Sequence, residues 1–355
     1  MRDITILMTG CGAPGGVPII KMLKKNGERK IRIVGADIND LNAGRYLADS
    51  FYKIPRAEEP DFVDRLMEIC KKEKVDILIP LVTRELPLLS RFADEFEDNG
   101  TTVMISKHRA IAIANDKGKL FKYLERAGIR VPRYGVAESA KDVEGIAKSL
   151  GYPEKKVVVK PAVSNGSRGL RVLDANVDEF SVLINEKPTN LRITLERFIE
   201  IINRKKIPEY VVMEYLPGIE YSCDMLVKRG RSLITIPRRR DIIKEGISFA
   251  GRIEENKEIS TYAEKISDRL GLDYNINMQF KIGEDGKAYI IEVNPRVSGT
   301  IIMNIGAGIN LPYLGVKLAL GEKIDKLKPK YGITMVRFWS EVFIENSGRI
   351  FMIEW

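Results

Sequence analysis

Apolar runs of strand length alternate with amphipathic stretches through the first third of the chain. Residues 3–9 (DITILMT) and 31–36 read as buried strands, the second running into Asp37. Shorter apolar runs at 75–79 and 102–105 predict two more strands. Helical spacing of apolar positions recurs at 17–25, 60–73 and 84–97. Strand and helix in alternation predict a parallel α/β domain over 1–114.

After residue 114 the pattern changes. Asn115-Asp116 supplies a helix cap, Leu120, Tyr123, Leu124 and Ala127 form one stripe, and Gly128 with Pro132 ends the helix. A helix is predicted at 139–150 and a buried strand at 156–160. A charged helical stretch follows at 176–205, broken near Pro188. Strands at 210–214 and 221–228 flank Pro217-Gly218, another is predicted at 232–237, and a helix over 257–270 ends at Gly271. Residues 276–282 and 288–293 are rich in strand formers around Asp285-Gly286, a hairpin turn signal. Asn310 can cap a closing helix with Pro312 in its first turn. The strand-like residues 331–355 are expected to extend the sheet.

Composition narrows the chemistry. A chain of 355 residues has room for two or three domains. No apolar run reaches 18 residues and the first residues enter a strand, so a soluble, unexported, cytoplasmic protein is expected. The three cysteines, Cys11, Cys70 and Cys223, lack metal or CxxC spacing and read as reduced thiols. The single histidine, His108, excludes histidine-based triads and zinc sites. A net charge of +9 is spread along the chain with few aromatics interleaved, which suits a phosphate-rich small ligand better than nucleic acid.

The hairpin carries the strongest chemical signal. If Glu284 and Lys287 bracket a two-residue turn, Gln279 lies opposite Glu292 and Asn277 opposite Asn294. Alternation then puts all four side chains on one face. Hard oxygen donors without thiol or imidazole are what Mg²⁺ prefers, and Pro295-Arg296 adds a cation beside them. A lone E-x-N would read as the polar outer face of a surface hairpin. Gln279 in register and the trailing Pro-Arg favour the metal site.

These residues resemble the magnesium end of the ATP-grasp superfamily, and IIEVNPRVSG is similar to the carbamoyl-phosphate synthase large-subunit branch. The resemblance extends over residues 1–330. It implies a Rossmann-like pre-ATP-grasp domain (1–114), an ATP-grasp α+β domain (115–330, lid near 150–215) and a C-terminal strand extension (331–355). It also implies a carboxylate–amine or ammonia ligase that splits ATP through an acyl phosphate. Within NDKGKLFKYLERAGIRVPRY, Lys117 is implied to contact phosphate. Lys160 and the loop of Ser164, Gly166, Ser167, Arg168 and Gly169 are implied to clamp the phosphates; from turn chemistry alone this loop could equally be a hairpin connection. In EYLPGIE, Glu214, Tyr215 and Leu216 are implied to meet the base and Glu220 the ribose. Gln279, Glu292 and Asn294 would hold the metal, with Gln279 also facing the nucleotide. Arg296, Arg238, Arg240 and Lys160 are implied to act on the transferred group, although three adjacent basic residues by themselves suggest a solvated face. Gly12, Asp37 and Glu85, at strand ends of the first domain, are implied to hold substrate. Glu85 taken alone reads as an exposed helix-start residue.

Two features depart from that branch. Its phosphate strand carries arginine where this chain has Lys160, and a further arginine follows NPRVS where this chain has Gly299. A stand-alone carbamoyl-phosphate synthase acting on bicarbonate is therefore the alternative to a ligase of amino acids or similar carboxylates. Gly10-x-Gly12-x-x-Gly15 with Asp37 behind it also fits a dinucleotide fingerprint, which leaves an NAD(P)-dependent oxidoreductase as a rival, alongside a non-catalytic nucleotide-binding protein. ATP and Mg²⁺, with Mn²⁺ as a substitute, are the expected cofactors. Small carboxylates and amines are the expected partners, without nucleic acid or membrane, and a homodimer is compatible with the sequence.

Overall fold

A computed structural model describes residues 1–164, 168–185 and 191–353. The first sheet holds β1 (Ile4–Thr9), β2 (Ile31–Asp37), β3 (Ser50–Lys53), β4 (Ile77–Ile79) and β5 (Thr102–Val103), all parallel in the order β3-β2-β1-β4-β5. Both faces of β1 are covered, Ile6 and Met8 by one apolar cluster and Leu7 by another, which is why the run reads as continuously apolar. The helix Gly16–Lys24 follows β1 directly. The helix expected over 84–97 is two short ones, Leu86–Leu89 and Ala93–Asp98.

The second sheet takes β6 (Tyr134–Ala137), β7 (Val157–Pro161), β8 (Arg171–Leu173), β9 (Arg192–Ile193) and β10 (Tyr210–Glu214) in the order β6-β10-β7-β8-β9. Among the described residues of the stretch 176–205, residues 179–185 and 195–202 are helical, and β9 lies between them.

The third sheet runs β15-β14-β11-β12-β13-β16. Its strands are β11 (Glu220–Lys228), β12 (Arg231–Lys244), β13 (Ile247–Ile253), β14 (Tyr274–Ile282), β15 (Ala288–Asn294) and β16 (Ile333–Val336). The helix Lys257–Leu270 covers one face. Asn256 accepts from the Ile259 amide as its cap, Ile259, Tyr262, Ala263 and Ile266 point inward, and Gly271 (φ +65°) ends it. Tyr221, Cys223, Met225, Met278 and Phe280 meet that helix, so the alternate residues of β11 and β14 face the other way. Of residues 331–355, β16 joins this sheet at β13. β17 (Phe343–Ile344) and β18 (Ile350–Phe351) pair only with each other and do not extend it.

Far-separated parts of the chain are clamped together beside the helix Leu311–Ala319. The Arg29 guanidinium, with 1% of its side chain exposed, donates to Tyr313 at 3.1 Å and pairs with Glu322 at 2.5 Å. Lys317 pairs with Glu28 at 2.8 Å. Among the described residues no helix is long and apolar enough to cross a membrane. All three cysteines are buried and unpaired.

Candidate functional site

The free face of the third sheet is built in rows across its strands. Asp224 of β11 lies opposite Asn277, which lies opposite Asn294. Ser222 lies opposite both Gln279 and Arg238, and Gln279 lies opposite Glu292. Glu220 lies opposite Arg240. The expected pairing of Gln279 with Glu292 and Asn277 with Asn294 is observed, but the turn beneath it differs. Gly283 donates its amide to Lys287, and Gly286 to Gly283, so the turn is bracketed one residue earlier. Only Gly286 has positive φ (+74°), whereas a type I′ turn needs it at both central residues. An extra residue on β15, between the pairs Phe280–Ile290 and Gln279–Glu292, restores the register. The carbonyl of Ile291 in that bulge accepts from Lys160 Nζ at 2.8 Å.

Lys160, the last residue but one of β7, therefore meets the hairpin of β14 and β15. Its ammonium also lies 5.6 Å from the Phe121 ring. Burial first, then the neighbouring charge of Lys117, holds it down to about 7, against the opposing pull of Glu292 and Glu220. Lys117 begins the helix Lys117–Arg126, whose cap Asp116 accepts from the Lys119 amide. Its backbone amide donates to Ala162, just past β7, which fixes the side chain near the hairpin. Lys117 Nζ lies 3.8 Å from Glu292 Oε1 and 3.4 Å from both the carbonyl and hydroxyl of Ser164. Arg168 and Gly169 (φ +75°) follow on the far side of the loop, while Gly166 and Ser167 lie outside the described residues.

The hinge between the second and third sheets places Glu214, Tyr215 and Leu216 in sequence. Glu214 accepts from the amide and Nε of Arg133 at 2.8 and 2.9 Å. Lys281 sits 5.2 Å from the Tyr215 ring. Leu216 is buried. A cavity of about 440 Å³ is lined by Arg133, Glu214, Tyr215, Leu216, Gly283 and Tyr289.

Arg238 and Arg240 do not form the open basic wall that their sequence suggests. Arg238 is fully buried and pairs with the equally buried Asp224 at 2.7 Å. Asp224 also accepts from Asn277 and Asn304, each at 2.8 Å, which draws Asn277 away from a ligand role. Arg240 is held by Glu220, by Ser248 at 3.0 Å and by the Gly246 carbonyl at 2.6 Å. Glu220 thus meets an arginine on the neighbouring strand. Asp224 was missed from the sequence, although one acidic residue inside the strand run YSCDMLVK was a usable signal.

Arg296 is turned toward the first domain. It donates to Thr83 Oγ1 at 3.1 Å, to the Val297 carbonyl at 2.9 Å and to Asn294 Oδ1 at 3.3 Å. A Cβ on Gly15 would come within 2.7 Å of Gly299 Cα, so the glycine loop after β1 abuts the segment after Asn294. Near that contact Gly12 donates its amide to Asp37 at 2.9 Å, and Thr9 donates to Glu85 at 2.5 Å. Glu85 is buried, not an exposed helix start. Burial raises its carboxyl to about 8, the Thr9 hydrogen bond opposing and Asp37 adding to the rise.

Two family descriptions match successive stretches of the chain. PylC-like N-terminal domain matches residues 6–104, and ATP-grasp in the biosynthetic pathway with Ter operon matches residues 206–340. Carbamoyl phosphate synthase large chains are among the relatives. That of Archaeoglobus fulgidus is 28% identical over 280 residues, 77% of this chain and 24% of its own length. That of Thermotoga neapolitana is 27% identical over 282 residues, 77% of this chain and 24% of its own. The chain thus spans about a quarter of the length of the curated relatives it matches. Among solved structures, the biotin carboxylase domain of Hydrogenobacter thermophilus 2-oxoglutarate carboxylase, a dimer with MgADP, ADP and bicarbonate, superposes with a TM-score of 0.70 at 18% identity, covering 94% of this chain and 74% of that one. The L-amino acid ligase of Bacillus licheniformis gives 0.65 at 16%, covering 90% and 75%. The chain thus carries an ATP-grasp match over residues 206–340 alongside a PylC-like N-terminal match over residues 6–104, and it shares the fold of these solved structures.

Proposed function

We propose that the chain is an ATP-dependent, ADP-forming carboxylate–amine or ammonia ligase that passes through an acyl phosphate. One observation carries this reading. Gln279, Glu292 and Asn294 share a sheet face, with Lys117 3.8 Å from Glu292 and Lys160 bonded to the carbonyl of the adjoining residue. The donor set fits magnesium, since it offers one carboxylate and two amides and no soft ligand. Lys160, buried with a depressed pKa and no acidic partner within ion-pair distance among the described residues, fits a place for phosphate. Bound there, Mg-ATP would supply the γ-phosphoryl group that makes an inert carboxylate reactive toward an amine.

The chain's own residues then position and neutralise, which is most of what phosphoryl transfer asks of a protein. Lys117 and Lys160 carry charge to the phosphates, with Ser164, Arg168 and Gly169 closing over them. Glu214, Tyr215 and Leu216 form the base-facing hinge. Glu220 orients Arg240 and meets the ribose. Arg296 lies between the metal-type hairpin and Thr83, at the mouth where Gly12, Asp37 and Glu85 would receive the amine. Arg238 serves as the framework cation of Asp224 and holds the sheet face in register. The second sheet and its loop would exclude water from the acyl phosphate.

The NAD(P) alternative is disfavoured by two contacts. Asp37 turns back onto the Gly12 amide, and Gly15 lies against Gly299, where a pyrophosphate would have to enter. The deciding experiment is phosphate and ADP release from Mg-ATP over pools of amino acids, other carboxylates and bicarbonate, with hydroxylamine to trap acyl phosphate. One pool should stimulate ADP formation and give a hydroxamate. The reading fails if no pool does so and the chain does not bind Mg-nucleotide.

A further inference from the structure

Residues 336–353 contribute nothing to the ligase reading, yet they hold the largest run of exposed apolar side chains near the end of the chain. They leave the third sheet at β16, an outer strand with no strand partner on its far edge among the described residues. Val336, Phe338 and Trp339 are 73%, 78% and 75% exposed. The Trp339 ring meets that of Phe249 edge-on at 5.5 Å, which roots the stretch on β13.

Beyond this root, β17 and β18 form a two-stranded ribbon. Such a ribbon is marginal in water unless further strands or a second layer support it. Phe343 lies opposite Phe351, their rings stacked 5.1 Å apart, and Ile344 lies opposite Ile350. Strand alternation sends the two pairs to opposite faces. All four residues are exposed, so the ribbon is apolar and open on both sides.

Size and charge point to what covers it. With Ile353, these eight residues leave on the order of 800 Å² of apolar surface exposed. The largest patch on a typical monomer is about 300–600 Å², whereas one side of a standard interface is about 800 Å². The chain carries a net charge of +9, but within 336–353 Arg337 and Arg349 are balanced by Glu341 and Glu345. A neutral apolar arm is where two copies of a basic chain can meet without like-charge repulsion, and it offers an acidic partner no attraction.

We propose that residues 336–353 form a dimerisation arm whose occupant is a second copy of this chain. About a two-fold axis, the ribbon of each copy lies on the exposed segment from Val336 to Trp339 of the other, so one contact is made twice. The exchange encloses each ribbon on both faces, one against the partner's sheet edge and the other against the partner's ribbon.

The test is sedimentation velocity of the full chain over a dilution series. Wild type should reach twice the 40.1 kDa of one chain and dissociate on dilution. The Ile344→Glu, Phe351→Glu double variant, which puts a carboxylate on each face of the ribbon, should weaken the dimer about a hundredfold or more. Phe180→Glu, which alters an exposed aromatic residue on the helix Glu179–Asn185, should dimerise like wild type. In hydrogen exchange, wild-type amides of 336–353 should be slower at high protein concentration than at low, and those of 179–185 unchanged. Melting midpoints at dilutions where every protein is monomeric should agree, which reports that the variants are folded. Should the double variant melt early, the wild-type exchange pattern alone decides. A wild type that stays monomeric, an open-ended series of larger assemblies, a dimer that survives the double substitution, or protection confined to other segments would overturn the proposal. The first of these outcomes would leave the surface to a different polypeptide.

Discussion

Lys160 gives the account its sharpest quantitative handle. Its ammonium is held to a pKa of about 7, so in the free protein it is largely neutral at pH 8.5. A triphosphate placed against it favours the charged form, and binding must then draw a proton from solution. Affinity should be nearly constant below pH 7 and fall about tenfold per pH unit above it, which amounts to roughly 50-fold between pH 7 and 9. The assay is calorimetric titration with a non-hydrolysable ATP analogue at saturating magnesium, repeated in buffers of different ionisation enthalpy to count protons taken up. Lys160→Met should bind more weakly at pH 7 and show no such slope. Lys117→Met should move its onset to higher pH, because Lys117 is the second cause of the depression after burial. A wild-type affinity independent of pH over this range, or a slope that survives in Lys160→Met, would refute the placement of phosphate at Lys160.

Further expectations concern stability. Glu85 has a folded pKa of about 8 against 4.5 for the free side chain, so the folded state holds the proton more tightly. Its contribution is complete below about 4.5 and is lost as pH rises toward 8. Glu85→Gln should therefore melt near wild type at pH 5 and above it at pH 9; an equal gap at both pH values would contradict this. Asp224→Asn leaves the buried Arg238 without its counter-charge and should cost about 3–5 kcal/mol in urea unfolding. The Asp224→Leu, Arg238→Met double variant should lose less, and a loss below about 1 kcal/mol in the single variant would deny the pair its framework role.

Several core-facing elements could be read from the sequence because burial leaves a periodic trace. The helix Lys257–Leu270 and the strands β1 and β2 fall where the spacing puts them. The hairpin shows how a right pairing can rest on a wrong turn. Gly286 alone adopts positive φ, and the bulge at Ile291 cancels the one-residue offset. Period-two patterns carry no mark of such a bulge. Charge partners were the least legible. Arg238 and Arg240 read as an exposed basic run because Asp224 and Glu220 lie a strand away, and their pairing needs the register of β11 against β12. Glu85 looked exposed because local sequence does not show the Thr9 side chain that meets it. Thr83, which accepts from Arg296, and Arg337, which donates to Gly299, lie far in sequence from those partners and meet them only through tertiary packing.

The central claim is that Gln279, Glu292 and Asn294 hold a magnesium-bound triphosphate. Its most direct test is the affinity of wild type and Glu292→Ala for the same non-hydrolysable analogue, with and without magnesium. Magnesium should tighten binding at least tenfold in wild type and have little effect in Glu292→Ala. Equal tightening in both proteins would contradict the claim.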